Sequence, residues 1–382
     1  MASELSTSIT PSSLVSRSWL DDILIRICMA LQLTPTQYRA AETHYHAVAR
    51  WLAEPESPLA RIPLDIYPQG SLRIGTTVRP WWKDEYDLDL VLQLDLHSSV
   101  EPMALLDVVQ QRLTAHDTYA PMVERKNRCI RLNFAKQFHL DILPARPDPR
   151  LGGTHVLVPD CAAQSWKASN PKGYAGWFEA RGALAIALTE TRAAVEPLPV
   201  PEEARDKNAL QLAVQLLKRW RDLRFLRRPE SAPISIVLTT LAATYYAGEP
   251  DPFQALRSIV RGINAAVPTV GRLIVCNPAN PFEDLSERWD TEPEAYRAFV
   301  DAMRELDGKL RELESSRGLP EYTRQLEGLF GEVVARGAVA RHAQDIELAR
   351  RASALRVTRS GALTTAPAVA TVALRQNHFY GG

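Results

Sequence analysis

Two aspartates separated by a single residue, Asp87 and Asp89, lie in the run Glu85-Tyr-Asp-Leu-Asp-Leu-Val-Leu92. In an extended strand successive side chains alternate faces, so both carboxylates point one way while Tyr86, Leu88 and Leu90 point the other. Burying such a pair without compensation is costly, and a divalent cation with oxygen ligands is the usual resolution; magnesium suits ligands this hard. A third carboxylate, Asp141, sits between Leu140 and Ile142 in another apolar run, Phe138-His-Leu-Asp-Ile-Leu-Pro144. Acidic groups on neighbouring strands can hold two metals about 3.5–4 Å apart, an arrangement that activates an attacking oxygen and stabilises a leaving oxygen in phosphoryl or nucleotidyl transfer. Upstream, Gln69-Gly-Ser71 follows a strand and precedes a short helical turn, where free backbone N–H groups and a hydroxyl can meet phosphate oxygens. Each part alone has a plainer reading: an edge-strand charge pair, a loop, or an ion pair of Asp141 with Arg131 or Arg146. It is their order that points to nucleotide chemistry.

The elements that must carry these residues can be read from periodicity. From Ser18 to Ala53 the pattern is helical, interrupted at Thr34-Pro-Thr-Gln37, which has the makings of a capping box with proline at the first helical position. Between Leu64 and Pro159 the signal changes to short β-rich runs: Leu64 to Tyr67, Tyr86 to Leu94, Met122 to Lys126, Arg128 to Phe134, Phe138 to Leu143 and His155 to Val158. One clear helix, Pro102 to Ala115, lies among them, which predicts a mixed sheet rather than a regular βαβ repeat. Beyond Pro171 helices take over: Gly173 to Thr191, Asp206 to Arg227, Ile234 to Tyr246, Pro252 to Asn264, Pro293 to Ser316 and Pro320 to Arg350. The fold class is therefore α+β, with expected divisions at 1–200 (N-terminal helices plus sheet core), 201–350 (all-helical) and 351–382 (a mobile basic tail without Asp or Glu). Ala194 to Pro201 is the expected junction.

The chain's 382 residues carry 45 Lys+Arg against 45 Asp+Glu. That balance speaks against a surface that coats nucleic acid, which needs a basic excess. Cys28, Cys129, Cys161 and Cys276 are scattered with no CxxC pair, so neither a disulfide framework nor a zinc ribbon is expected. The N-terminus lacks the pattern of a secretory signal, and no stretch approaches the roughly 18 apolar residues of a spanning helix. A soluble, cytoplasmic protein is expected.

The ordered set Gly70-Ser71, Asp87-x-Asp89 and Asp141 resembles the polymerase-β-like nucleotidyltransferases. More narrowly, the chain resembles the CD-NTases, the cGAS/DncV-like cyclic-oligonucleotide synthases of bacterial CBASS anti-phage defence. That likeness rests on Gln69-Gly-Ser-Leu-Arg-Ile-Gly-Thr76, Asp84-Glu-Tyr-Asp-Leu-Asp-Leu90, Ser169-Asn-Pro-Lys-Gly-Tyr174 with Trp177-Phe178, Gln211-Leu-Ala-Val-Gln-Leu-Leu-Lys-Arg-Trp220, Ile234-Ser-Ile-Val-Leu-Thr-Thr240 and Asn277-Pro-Ala-Asn-Pro-Phe-Glu-Asp-Leu285. The resemblance implies a polymerase-β-like core with a helical C-terminal domain. It implies two Mg2+ ions (or Mn2+) on Asp87, Asp89 and Asp141, and a nucleoside triphosphate, ATP among the candidates, held by Gln69, Gly70 and Ser71. Lys218 would hold the triphosphate with a nearby serine, Ser235 ahead of Ser231. Asn170 would read a base edge, though a helix cap explains it equally well; Tyr174 could stack on a base or fill core, and Trp177 is expected in the core.

The implied product is a cyclic di- or trinucleotide that activates a downstream effector. Transfer to an RNA end, AMP transfer to a protein, and a non-catalytic nucleotide sensor are the alternatives. The C-terminal Gly381-Gly382 pair resembles ubiquitin-like tails, which implies conjugation at Gly382 by an E1–E2-like partner; a frayed end is the plainer reading.

Overall fold

The computed structural model describes residues 19–79, 85–97, 99–135, 137–183, 203–204, 206–354, 356–358, 363–364 and 371–373. Helices α1 (Trp19–Leu31) and α2 (Pro35–Ala53) meet at the expected capping box: the Thr34 hydroxyl oxygen accepts the Gln37 N–H at 3.2 Å, and Gln37 Oε1 accepts the Thr34 N–H at 2.9 Å. Strand β1 (Leu64–Gln69) runs straight into the single turn α3 (Gly70–Arg73). There follow β2 (Tyr86–Leu94), α4 (Pro102–Thr114), β3 (Val123–Arg125), β4 (Ile130–Phe134), β5 (Phe138–Pro147), β6 (Val156–Asp160) and β7 (Ser165–Ser169). These strands form one mixed sheet in the order β1-β2-β5-β4-β3, with β6 on the far half of β5 and β7 beyond it. The central pair β2–β5 is parallel and its other neighbours are antiparallel.

Alternation sorts this sheet into two faces. Leu88, Leu90 and Leu92 of β2 and Phe138, Leu140 and Ile142 of β5 pack with Tyr45, Val48 and Leu52 of α2 and Leu106 and Val109 of α4. The opposite face carries Asp87, Asp89, His139 and Asp141, and ends in a small apolar patch of Tyr67, Val91 and Ala145. One face is thus covered by helices, and the other is left for chemistry.

The helical body comprises α5 (Pro171–Gly182), α6 (Ala209–Arg224), α7 (Ser235–Tyr245), α8 (Pro252–Ala266), the hairpin β8 (Cys276–Asn277) and β9 (Asn280–Asp284), α9 (Arg288–Thr291), α10 (Pro293–Ser315), α11 (Leu319–Phe330) and α12 (Glu332–Arg351). Helix α1 belongs to it as well, because Leu20, Ile23, Leu24, Ile27 and Cys28 join the same core as Leu212, Leu216 and Ile259. That corrects the expected 1–200 division, which grouped α1 with the sheet. The ion pair of Arg26 with Asp345 at 2.8 Å fastens α1 to α12, and a second, with Asp22 at 2.6 Å within α1, holds the guanidinium in place.

Further differences have local causes. The expected helix from Pro320 to Arg350 breaks at Gly331, whose φ of 95° a helix does not admit. Helix α6, expected from Asp206, starts at Ala209, capped by Asn208 in a capping box with Gln211. Strand β7 is not among the expected strands: Ser-Trp-Lys-Ala-Ser alternates, but over five residues with one large apolar side chain and no β-branched residue. In place of a structureless tail, β10 (Arg356–Thr358), β11 (Leu363–Thr364) and β12 (Thr371–Ala373) form a small antiparallel sheet in the order β11-β10-β12. The expected junction Ala194 to Pro201, the continuation of α5 to Thr191 and Gly382 lie outside the described residues. Among the described residues no helix is long and apolar enough to cross a membrane, and all four cysteines are free.

Candidate active site

Sheet register assembles the site. Gln69 of β1 pairs with Asp89 of β2, Asp89 with Asp141 of β5, and Asp141 with Arg131 of β4. The four residues therefore form one row across four strands, on one face, at the spacing of about 4.8 Å that separates neighbouring strands. The next row places Asp87 beside His139. The row explains why Asp-x-Asp and a distant Asp converge: the strand period selects the face, and parallel pairing without a slip sets Asp89 against Asp141.

Electrostatically the row is an acidic pocket half closed by one arginine. Arg131 grips Asp141 with both arms of its guanidinium, Nε to Oδ1 at 2.6 Å and Nη2 to Oδ2 at 2.7 Å, and reaches Asp87 Oδ1 at 3.4 Å. Asp87 is also 3.3 Å from His139 Nδ1. Asp89 has no such cation, and its carboxyl is pushed up to about 7, first by burial and then by the charges of Asp141 and Asp87. Of the two candidates named for an ion pair with Asp141, the structure selects Arg131. Arg146 instead lies over the Trp166 ring, 4.9 Å from its centroid.

This donor set fits a divalent cation. Hard carboxylate oxygens share one face, and a carboxyl pushed up by burial and then by like charges is what a bound cation relieves. Among the described residues no three acidic, histidine or cysteine side chains are already drawn together as a cage, since Asp141 is turned onto Arg131. Side-chain rotation supplies the difference, because Asp89 and Asp141 are direct cross-strand neighbours.

The Gly-Ser turn abuts the row. Gly70 has a φ of +64°, and a methyl group on it would stand 3.1 Å from Asp89 Cγ and overlap its Oδ2. Only glycine lets the turn approach the carboxylate this closely. Ser71 Oγ lies 3.2 Å from Thr77 Oγ1. Neither the close approach nor Thr77 is visible in the sequence, although a glycine directly after a strand is the signal for the first.

From the helical body, Lys218 of α6 points toward the same place. It is buried, bonds the carbonyl and hydroxyl oxygens of Thr76 at 3.1 and 3.2 Å, and feels the charges of Asp89 and Asp87. Burial and then Arg221 pull its ammonium down to about 7. Ser235, the first residue of α7, accepts a hydrogen bond from Arg221 Nη1 at 2.7 Å, one turn of α6 beyond Lys218. Ser231 lies elsewhere, lining a groove of about 840 Å³ beside Arg227 and Arg228.

Asn170 is not aimed into the site. It is buried, its Oδ1 accepts the Gly173 N–H at 3.0 Å as the cap of α5, and its Nδ2 donates to the Ala279 carbonyl at 2.9 Å. Both ends are committed, so the cap reading replaces the base-reading one. Tyr174 is buried, with its hydroxyl 3.0 Å from Thr240 Oγ1, and Trp177 packs against the helical core as expected.

Residues 20–181 match the model of a family described as the Second Messenger Oligonucleotide or Dinucleotide Synthetase domain. The chain is 31% identical over 371 residues to a c-di-GMP synthase of Roseivirga ehrenbergii, covering 96% of this chain and 98% of that one. It is 29% identical to the cyclic dinucleotide synthase CdnG of Bradyrhizobium diazoefficiens, covering 92% of this chain and 90% of that one. The solved structure of the Bradyrhizobium diazoefficiens CD-NTase CdnG in complex with GTP superposes with a TM-score of 0.69 at 27% identity, covering 85% of this chain and 99% of that one.

Proposed function

The chain belongs to the CD-NTases, within the polymerase-β-like nucleotidyltransferases, and makes a cyclic dinucleotide from nucleoside triphosphates; from that premise we propose how its site works and that GTP is its substrate. The observation that carries the mechanism is the row Gln69–Asp89–Asp141–Arg131, met from the helical body by Lys218. Support for GTP comes from the two relatives, one named for c-di-GMP and the other solved with GTP.

In this reading Gln69, the Gly70 backbone and Ser71 hold the donor triphosphate against the sheet edge, and Lys218 leaves Thr76 to pair with it. Ser235 assists through Arg221. Two magnesium ions, or manganese, held by Asp87, Asp89 and Asp141 would neutralise phosphate charge and lower the pKa of the attacking ribose hydroxyl. That hydroxyl forms the new O–P bond at the α-phosphorus, the α–β bridging P–O bond breaks, and pyrophosphate leaves with its electron pair. Asp141 lies beside the acceptor and orients the hydroxyl, whose proton passes to solvent. A second transfer on the linear intermediate closes the ring.

The reading extends to a cytoplasmic role in anti-phage defence, with the product activating an effector and an E1–E2-like enzyme acting on Gly382. The test is to incubate the protein with each nucleoside triphosphate and magnesium or manganese, digest with nuclease and phosphatase, and identify the resistant product by mass spectrometry. Cyclic di-GMP from GTP alone is expected. Linear RNA ends, adenylylated protein or binding without turnover would each replace the reading with one of the alternatives.

A prediction follows from the Gly-Ser turn. Gly70→Ala forces either the turn or Asp89 to move, and an alanine at a φ of +64° costs about 1–2 kcal/mol of backbone strain. Product formation is expected to fall at least tenfold in a protein that still unfolds cooperatively, as steady-state pyrophosphate release and a thermal melt would record. Wild-type activity would mean that the turn does not share a site with Asp89.

A further inference from the structure

Helix α6 is buried nearly all round, yet it carries a polar stripe at Gln211, Gln215 and Lys218, spacings of four and three that share one face. That stripe, extended by Lys207 just before the helix, is spent on the backbone that follows the Gly-Ser turn. Gln211 Nε2 donates to Ile74 O at 3.2 Å, Lys207 Nζ to Gly75 O at 2.6 Å, Lys218 Nζ to Thr76 O at 3.1 Å and Gln215 Nε2 to Thr77 O at 2.8 Å. Four consecutive carbonyls are thus each held by one side chain from the helical body.

The bond at Thr77 is singular because the other side of that residue touches the site. Thr77 Oγ1 is 3.2 Å from Ser71 Oγ. Gln215 is itself braced: it is fully buried, and its Oε1 accepts from Gln32 Nε2 at 3.1 Å, while Gln32 also donates to the Cys28 carbonyl at the end of α1. A buried amide between Val214 and Leu216 is retained only where both its ends find partners. Here they link α1, through Gln32 and Gln215, to the threonine that faces the phosphate-turn serine.

We propose that Thr77, fixed by Gln215, is a positioning residue that sets the Ser71 hydroxyl for the donor phosphates, so that the seating of α1 and α6 determines how tightly the nucleotide is held. This rests on the nucleotidyltransferase reading of Ser71. The hydroxyl of Thr77 can be removed without disturbing its carbonyl, which keeps a packing role apart from a positioning role.

The experiment measures kcat and KM for the nucleoside triphosphate that the wild-type enzyme consumes, together with thermal midpoints, in Thr77→Val, Thr77→Ser and Gln215→Met. Thr77→Val is expected to raise KM about five- to tenfold while kcat changes less than threefold and the midpoint stays within about 2 °C. Thr77→Ser is expected to return KM to within twofold of wild type, and Gln215→Met to raise KM in the same sense with a lower midpoint. Equal KM in wild type and Thr77→Val, or equal KM in Thr77→Val and Thr77→Ser, overturns the proposal even if Gln215→Met fails to fold. A wild-type enzyme that turns over no nucleoside triphosphate overturns the underlying reading instead.

Discussion

Asp89→Asn is expected to abolish cyclic dinucleotide synthesis, by a thousandfold or more, and at the same time to raise the thermal midpoint of the metal-free protein above pH 7. The loss of activity follows from its place in the row: it is the carboxylate between Gln69 and Asp141, and the one that Gly70 is shaped to accommodate. The gain in stability follows from its titration. The folded-state pKa of Asp89 is raised from 3.8 to about 7, so the folded protein holds this proton more tightly than the unfolded chain does. The associated stability is present below pH 3.8 and is lost as pH rises to about 7. Above pH 7 the native state carries the full cost of a carboxylate withdrawn from water and crowded by Asp141 and Asp87, and the neutral amide removes it. A shift of this size has a ceiling of about 4 kcal/mol, and solvent reaching the half-buried group reduces the expected gain to about 1–2 kcal/mol. Melting curves at pH 5 and pH 8, with and without magnesium, are the measurement. An unchanged midpoint at pH 8 would remove the strained-carboxylate account, and retained synthesis would remove Asp89 from the metal-binding set.

Why these acids were legible in the sequence while their partners were not is a matter of range. Strand parity is local, so Asp87 and Asp89 declare their common face through Tyr86, Leu88 and Leu90, and Asp141 does so through Leu140 and Ile142. Once the face is known, only the order of strands is needed to bring the acids together. The choice of Arg131 over Arg146 for Asp141 depends on β4 lying beside β5, and no short-range pattern carries that. The same holds for Thr77, whose partners Ser71 and Gln215 lie on different elements. Helix α1 carries its own signal: apolar residues at Leu20, Ile23, Leu24, Ile25, Ile27 and Cys28 make a stripe too wide for one neighbour, which is the mark of a helix enclosed by several others. Gly331 likewise stood in the sequence as a helix breaker within an otherwise unbroken period. For Asn170 both readings were available, and what decided it was the position of Ala279, a contact more than a hundred residues away in sequence.

Lys218→Met should act as the counterpart of Asp89→Asn, with the pH dependence reversed. Its ammonium is pulled from 10.5 down to about 7, so the folded state binds this proton less tightly than the unfolded chain. Between pH 7 and 10.5 the unfolded chain holds more protons, and stability from this group rises with pH across that window. The cost of the buried charge is therefore greatest below pH 7, where methionine, of similar length and without charge, is expected to raise the midpoint by several degrees; near pH 10 the gain should vanish. Function moves the other way. Without the ammonium the triphosphate loses a buried cation, and kcat/KM is expected to fall about a hundredfold, mostly through KM. In the wild-type enzyme the same group sets the alkaline side of the profile: kcat/KM should decline above about pH 7 as Lys218 loses its proton, and Lys218→Met should lose that limb while keeping whatever acid limb Asp89 contributes. The two limbs nearly coincide because each group is displaced toward neutrality mainly by burial, and each charge lessens the other's displacement. Removing both in Asp89→Asn/Lys218→Met should therefore stabilise the protein near pH 7, where both groups are partly charged, by more than the sum of the single gains, since each single variant also deprives its partner of an opposing charge and the double variant leaves neither charge behind. A profile in Lys218→Met that kept its alkaline limb near pH 7 would assign that limb to another group and separate Lys218 from the triphosphate.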